Sequence, residues 1–330
     1  MQTHWQLSRR QFVARTAVLV TAIAGPAVAG PADPLEPVID IHQHGNYGGK
    51  RDATGTPTGP GRTNEELLAH QRAMGVTQTV LLPAGRPVRR PSTHDGVSNG
   101  LLDTCAGVEE CRALALAHPG VYYYGANEVP DLPEAAGVIE KHLKLGAVCI
   151  GEQKFGVECD APEMQRLYQM AAAYDVPILM HWQFGRFNAG FDRFTKMLIQ
   201  HPRTKFVGHA QTMWAHIDGS YADDARKLYP TGPVSPGGWT DRYLRDYPNF
   251  YADLSAGSGL NALTRDPEFT REFLKRHQDK LIYGSDCADK TGTGQECSGW
   301  LALGRLREMA ASKAVERKLL HENAKRVYRL

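Results

Sequence analysis

Residues 38 to 45 read VIDIHQHG, and the chemistry available to them rests on His42 and His44, two imidazoles one residue apart at the end of an apolar run. In a strand, alternate side chains share a face, so Asp40, His42 and His44 would project together while Val38, Ile39 and Ile41 supply the apolar body. Such a pair can chelate a divalent cation through its ring nitrogens. Two histidines in a surface turn would satisfy the same eight residues, so the rest of the chain has to decide.

Short β-branched runs recur along the chain and predict strands at 38–44, 76–84, 121–129, 147–155, 176–182, 205–210, 249–255 and 280–286. Helical patterns lie between them, for example at 63–75, 131–146, 161–175 and 266–280; several open on a capping residue or Pro, and two end in Gly. Eight strand-helix units predict an α/β fold, a (β/α)8 TIM barrel forming a single domain over residues 30–330. A doubly wound open sheet is the alternative, but the G-x-G-x-x-G turn of that fold is missing. The irregular stretch at 45–62 reads as a loop over an active site.

A barrel of this kind carries its chemistry at the C-terminal ends of its strands. The first expected strand ends in His42 and His44, the fourth in Glu152 and Lys154, the fifth in His181, the sixth in His209 and the eighth in Asp286. A catalytic zinc or similar divalent ion takes nitrogens and oxygens brought together by a rigid scaffold and keeps a position open for water. Water held there titrates near neutrality, and an adjacent carboxylate such as Asp286 can move its proton. His70, His118, His142, His201, His277 and His321 fall on helical patterns or before turns, where solvated side chains are expected. His216 follows the sixth strand and could reach a substrate. Trp182, Phe184, Asn127, Glu128, Arg86 and Trp214 are candidates for the pocket wall, with Arg86 either a carboxylate clamp or a surface residue. The small residues of SAGSGLNAL (255–263) could present amides to an oxyanion or simply form a tight loop.

With these residues at these strand ends, the chain resembles the amidohydrolase superfamily, in its amidohydrolase-related branch, over about residues 38 to 330. The closing ENAKRVYRL is similar to the terminal helix of that branch. The resemblance implies that His42, His44 and Asp286 bind a more buried cation, that His181 binds the same or a second one, and that His209 binds the second or polarises the substrate. It implies one or two ions, zinc or similar. Bridging ligands in the superfamily are a carboxylated Lys or a Glu; Glu152 is the favoured ligand here and Lys154 the alternative, Lys154 otherwise pairing with Glu152 or contacting substrate. The branch contains hydrolases, in which Asp286 would shuttle a proton and His209 steady an oxyanion, and decarboxylases with a similar site. A non-catalytic exported binding protein is the third reading.

The N-terminus differs in kind. A basic start, an apolar stretch from about Ala17 to Ala24, and Ala27-Val28-Ala29 predict a signal peptide over residues 1–29. Ser8-Arg9-Arg10-Gln11-Phe12-Val13 resembles the twin-arginine export signal, which implies a periplasmic or extracellular destination. The apolar run is shorter than the roughly 20 residues of a membrane span, and Arg15 bounds it on the N-terminal side. The 38 basic and 36 acidic residues form no long run, which argues against nucleic acid and for a small-molecule substrate. Six cysteines contain no C-x-x-C pair, so nothing local argues for a structural zinc site. Export would permit disulfides, with Cys105–Cys111 and Cys287–Cys297 the candidate pairings and Cys149 a buried thiol.

Overall fold

The computed structural model describes residues 36–48, 61–86, 101 and 105–330. The expected signal peptide, the first residues of the expected domain and residues 49–60 of the expected active-site loop lie outside these. Eight strands, β1 (Ile39–Gln43), β2 (Gln78–Leu81), β3 (Tyr122–Ala126), β4 (Cys149–Gln153), β5 (Pro177–His181), β6 (Lys205–His209), β7 (Phe250–Asp253) and β8 (Leu281–Ile282), run parallel in sequence order. The last meets the first where the Ile41 amide donates to Tyr283 O at 3.3 Å and the Asp286 amide to His42 O at 2.9 Å. The molecule is therefore a (β/α)8 TIM barrel. Every expected strand is present, each shorter than its apolar run because the run continues past the hydrogen-bonded ladder.

The helices are α1 (Asn64–Met74), α2 (Val108–Ala117), α3 (Ala135–Lys144), α4 (Pro162–Tyr174), α5 (Thr195–Gln200), α6 (Gln211–Ala215), α7 (Trp239–Asp246), α8 (Ala256–Thr264), α9 (Pro267–Arg276), α10 (Ser298–Met309), α11 (Lys313–Arg317) and α12 (Asn323–Tyr328). α1 starts where sequence places it: the Thr63 hydroxyl accepts from the Glu66 amide and the Glu66 carboxylate from the Thr63 amide, a reciprocal cap. SAGSGLNAL forms α8 instead of a loop. Its small residues serve close packing, since a Cβ on Gly259 would come within 2.4 Å of Leu254 O.

Two apolar layers hold these elements. Ile39, Ile41, Val80, Leu82, Cys149, Leu179, Val207 and Ile282 fill the barrel and meet Ala324, Val327 and Tyr328 of α12. Lys205, at the start of β6, donates to Val327 O, so α12 stoppers the N-terminal mouth. The outer layer joins the opposite strand faces, including Leu81, Ile150, Met180 and Phe206, to the helices. Three histidines expected in solvent are buried instead: His70 faces Asp289 at 3.0 Å, His142 faces Glu109 at 3.4 Å and His277 faces Asp241 at 2.6 Å. His70 and His142 ride the inward stripes of α1 and α3, His277 caps α9, and a carboxylate from another element faces one nitrogen of each ring. No helix among the described residues is long and apolar enough to cross a membrane.

Tyr328, almost fully buried in the stopper, should be costly to truncate. Tyr328→Ala should lower unfolding free energy by about 3–5 kcal/mol, measured from the denaturant midpoint, and an unchanged midpoint would deny α12 its place in the core.

Candidate metal centre

The ligand-type residues at the C-terminal mouth are aimed by irregularities in two strands. The ladder register shifts between Asp40 and Gln43 in β1, and again between Ile150 and Gln153 in β4. Such bulges re-aim side chains without dissolving the strand. Asp40 consequently does not project with His42 and His44 as strict alternation would have it: its carboxylate accepts from Gln71 of α1 at 2.9 Å and from the Ser285 amide at 2.9 Å.

Glu152 stands at the centre. Its Oε2 lies 3.6 Å from His42 Nε2 and 3.5 Å from His44 Nε2, while its Oε1 lies 2.6 Å from His181 Nδ1 and 3.7 Å from His209 Nε2. Asp286 closes the ring, with Oδ1 3.9 Å from His42 and 3.5 Å from His44, and Oδ2 3.8 Å from His209. Three overlapping groups of donor atoms therefore converge: His42, His209 and Asp286; His42, His44 and Glu152; Glu152, His181 and His209.

The other ring nitrogens are held from behind. His42 Nδ1 meets Asp253 Oδ2 at 2.7 Å, His44 Nδ1 meets Leu82 O at 2.7 Å, and His209 Nδ1 meets the Ser255 hydroxyl at 3.0 Å. These contacts make Nδ1 the protonated atom and leave Nε2 of each ring facing the centre. Asp253 and Ser255 were missed in the sequence; the signal available was an acid ending the seventh expected strand. Among the described residues, His42 Nε2, His209 Nε2 and Glu152 Oε2 are buried with no hydrogen-bond partner. Each such orphan costs about 1–3 kcal/mol unless something satisfies it, and a divalent cation is the species these nitrogens and carboxylate oxygens fit.

The electrostatics agree. Burial works against charge on Glu152, yet Lys154 and His181 hold its carboxyl well below the usual range. Burial likewise opposes charge on His42, but Asp286 and Asp253 raise it well above an ordinary imidazole. His44 is pushed down by burial and back up, to about 10, by Cys105 and Asp286. His181 goes to about 4, lowered by burial and by Lys154. Asp286 itself takes a left-handed backbone, φ 45°, unusual for a non-glycine residue and typical of strained positions at sites. Gly284 lets its segment approach: a Cβ there would come within 2.6 Å of Asp253 Oδ1 and 2.9 Å of His42 Cβ.

The amidohydrolase family model matches residues 39–330. The chain belongs to the amidohydrolase family. No curated protein matches it. Among solved structures it is similar to an uncharacterized TIM-barrel protein of Bordetella bronchiseptica, at 15% identity and TM-score 0.56, covering 88% of this chain and 98% of that one. It is similar to a putative 2-pyrone-4,6-dicarboxylic acid hydrolase of Pseudomonas putida, at 16% identity and TM-score 0.56, covering 89% and 97%. It is also similar to a 5-carboxyvanillate decarboxylase of Sphingomonas paucimobilis, at 14% identity and TM-score 0.54, covering 89% and 99%. At these identities the likeness speaks to fold.

Within this amidohydrolase, the expected site residues divide. His42, His44, Glu152, His181, His209 and Asp286 come together. Lys154 makes no ion pair with Glu152 among the described residues, although its charge acts on Glu152 and His181. Trp182, expected in the pocket wall, is 1% exposed and packs between Phe191 and Phe194, because alternation turns it to the face opposite His181. His216 is buried against Asp223 at 2.9 Å and away from the ligand cluster. Arg86 is engaged with Glu128 at 2.6 Å and Glu134 at 2.8 Å. Trp214 donates to Asp253 O and Asn127 to Glu152 O, so both brace the site from outside. Phe184 remains on the rim, 42% exposed. Tyr47, unnoticed in the sequence, stacks on His44 with ring centroids 5.3 Å apart.

A cation entering this centre must displace the protons that His42 and His44 hold at neutral pH in the metal-free protein. Calorimetric titration at pH 7 in buffers of different ionisation heat should show net proton release, fading as pH rises toward 10; binding without release would contradict the ligand set. Without metal, the His44 contribution to stability is fully present below pH 6.5 and lost as pH rises through about 10. The Asp253 contribution, from a carboxyl lowered to about 2 against burial by His42 and His209, is present above pH 3.8 and lost as pH falls through about 2. Thermal melts of the metal-free chain should therefore be highest between these limits.

Proposed function

We propose that this amidohydrolase is a metal-dependent hydrolase acting on a small-molecule amide, ester or lactone. The observation that carries the reading is the division of Glu152, whose two oxygens face different pairs of imidazoles. A carboxylate placed in this way suits a bridge, so His42, His44 and Asp286 would hold one divalent ion, His181 and His209 a second, and Glu152 both. Zinc or a similar cation, when bound, polarises a carbonyl and acidifies water so that it can attack near neutrality. Asp286 has the most exposed side chain of the set, 16% against 4% or less for the others. It is therefore the group best placed to take the proton of the attacking water and return it to the leaving group. If only one ion is held, His209, facing Asp286 and oriented by Ser255, would instead steady the charge developing on the carbonyl oxygen. Lys154 and Phe184 would meet the substrate at the rim.

Carboxylated lactones and carboxylated phenols form the first assay panel, since similar folds carry a putative pyrone dicarboxylate hydrolase and a carboxyvanillate decarboxylase. Turnover with solvent oxygen incorporated into product supports hydrolysis, whereas carbon dioxide release without it assigns the chain to the lyases. Asp286→Asn should keep the fold and lose activity by about 10²–10⁴-fold, and a variant near full activity would remove Asp286 from proton transfer. We also propose export. The support is the Arg9-Arg10 signal and the Ala27-Val28-Ala29 site, so replacing both arginines by lysine should leave uncleaved precursor in the cytoplasm, read by fractionation and intact mass.

A further inference from the structure

Beside the barrel mouth a second cluster of ligand-type side chains uses none of the residues of the Glu152 centre. His70 of α1, Cys287 and Asp289 from the segment after β8, and Cys297 at the head of α10 offer one donor atom each, all within 4.8 Å of one another. His70 Nε2 is 3.0 Å from Asp289 Oδ1 and 3.9 Å from Cys297 Sγ, and the two sulfurs are 2.8 Å apart. His70, Cys287 and Cys297 are buried. None of the six cysteines is bridged in this structure, the candidate Cys105–Cys111 and Cys287–Cys297 pairs included.

One imidazole and one carboxylate with two sulfurs form the mixed set that a tetrahedral thiophilic cation takes. The Gly299 amide donates to Cys287 Sγ at 3.0 Å and the Trp300 amide to Cys297 Sγ at 3.3 Å, so the first turn of α10 points two N–H groups at the sulfurs. A dication with two thiolates and a carboxylate leaves one net negative charge. Arg62, almost fully buried, lies alongside and donates through Nη1 to Asp289 O at 3.2 Å. We propose that His70, Cys287, Asp289 and Cys297 form a structural site for zinc or a similar thiophilic divalent ion, separate from the Glu152 centre. Binding releases the two thiol protons and ties the 287–297 segment to α1. Because that segment begins one residue after Asp286, and Gln43 donates to Cys287 O at 3.2 Å, the cation acts as a positioning device for the mouth.

Sulfur makes the test independent of the Glu152 centre. The purified full chain loaded with cobalt(II) should show a thiolate-to-cobalt charge-transfer band, and Cys287 and Cys297 should resist alkylation until a chelator is added. Cys297→Ser should abolish the band and lower bound metal by one equivalent, while Cys105→Ser, which removes the thiol beside His44, should keep both. The proposal is overturned if the wild-type chain lacks the band and its two thiols alkylate freely, or if its intact mass is lower by two hydrogens, which would mean a Cys287–Cys297 disulfide. Should Cys297→Ser fail to fold, the wild-type spectrum and its chelator-dependent alkylation still decide.

Discussion

A fully buried carboxylate among four imidazoles is the constraint on which the rest of this barrel depends. Glu152 has no route to water, so its charge survives only through the neighbours that face it. The bulge in β4 turns it inward, and the bulge in β1 turns two imidazoles to meet it. Asp253 and Ser255 then fix which nitrogen each of His42 and His209 can offer. Removing any one of these leaves an uncompensated group in the interior, which is more damaging than the loss of a single contact.

The barrel itself was readable because its signal is repetitive. Each apolar run is bounded by turn or cap residues, and eight repetitions leave few topologies open. The six ligand-type residues were readable for a related reason: a strand end is a place that periodicity identifies, and histidine or a carboxylate there is conspicuous. Direction was less legible. Strict alternation put Asp40 with His42 and His44, whereas a one-residue register shift sends it to Gln71 and Ser285. Trp182 was drawn to the pocket by its proximity to His181 in the chain, although adjacent residues in a strand face opposite ways.

What sequence could not supply were pairings between distant elements. His70, His142 and His277 read as solvated because their carboxylate partners, Asp289, Glu109 and Asp241, lie elsewhere in the chain. The Cys287 and Cys297 cluster escaped for the same reason: its ligands are spaced too irregularly for a local pattern, and its histidine comes from the first helix. The small residues of SAGSGLNAL were visible, but their purpose, a helix packed tightly on the end of β7, belongs to tertiary structure.

The meeting of β8 with β1 carries a consequence for how the chain folds. His42 and Asp286 are joined by a backbone hydrogen bond as well as by their side chains, so the seam of the barrel and its reactive mouth are one structure. Bringing together two segments separated by nearly the whole domain is slow, since loop closure precedes any favourable contact. Until the seam shuts, Asp286 is held apart from His42 and His44, whereas Glu152, His181 and His209 come from the neighbouring strands β4 to β6. The donor set that includes Asp286 is thus complete only in the closed barrel.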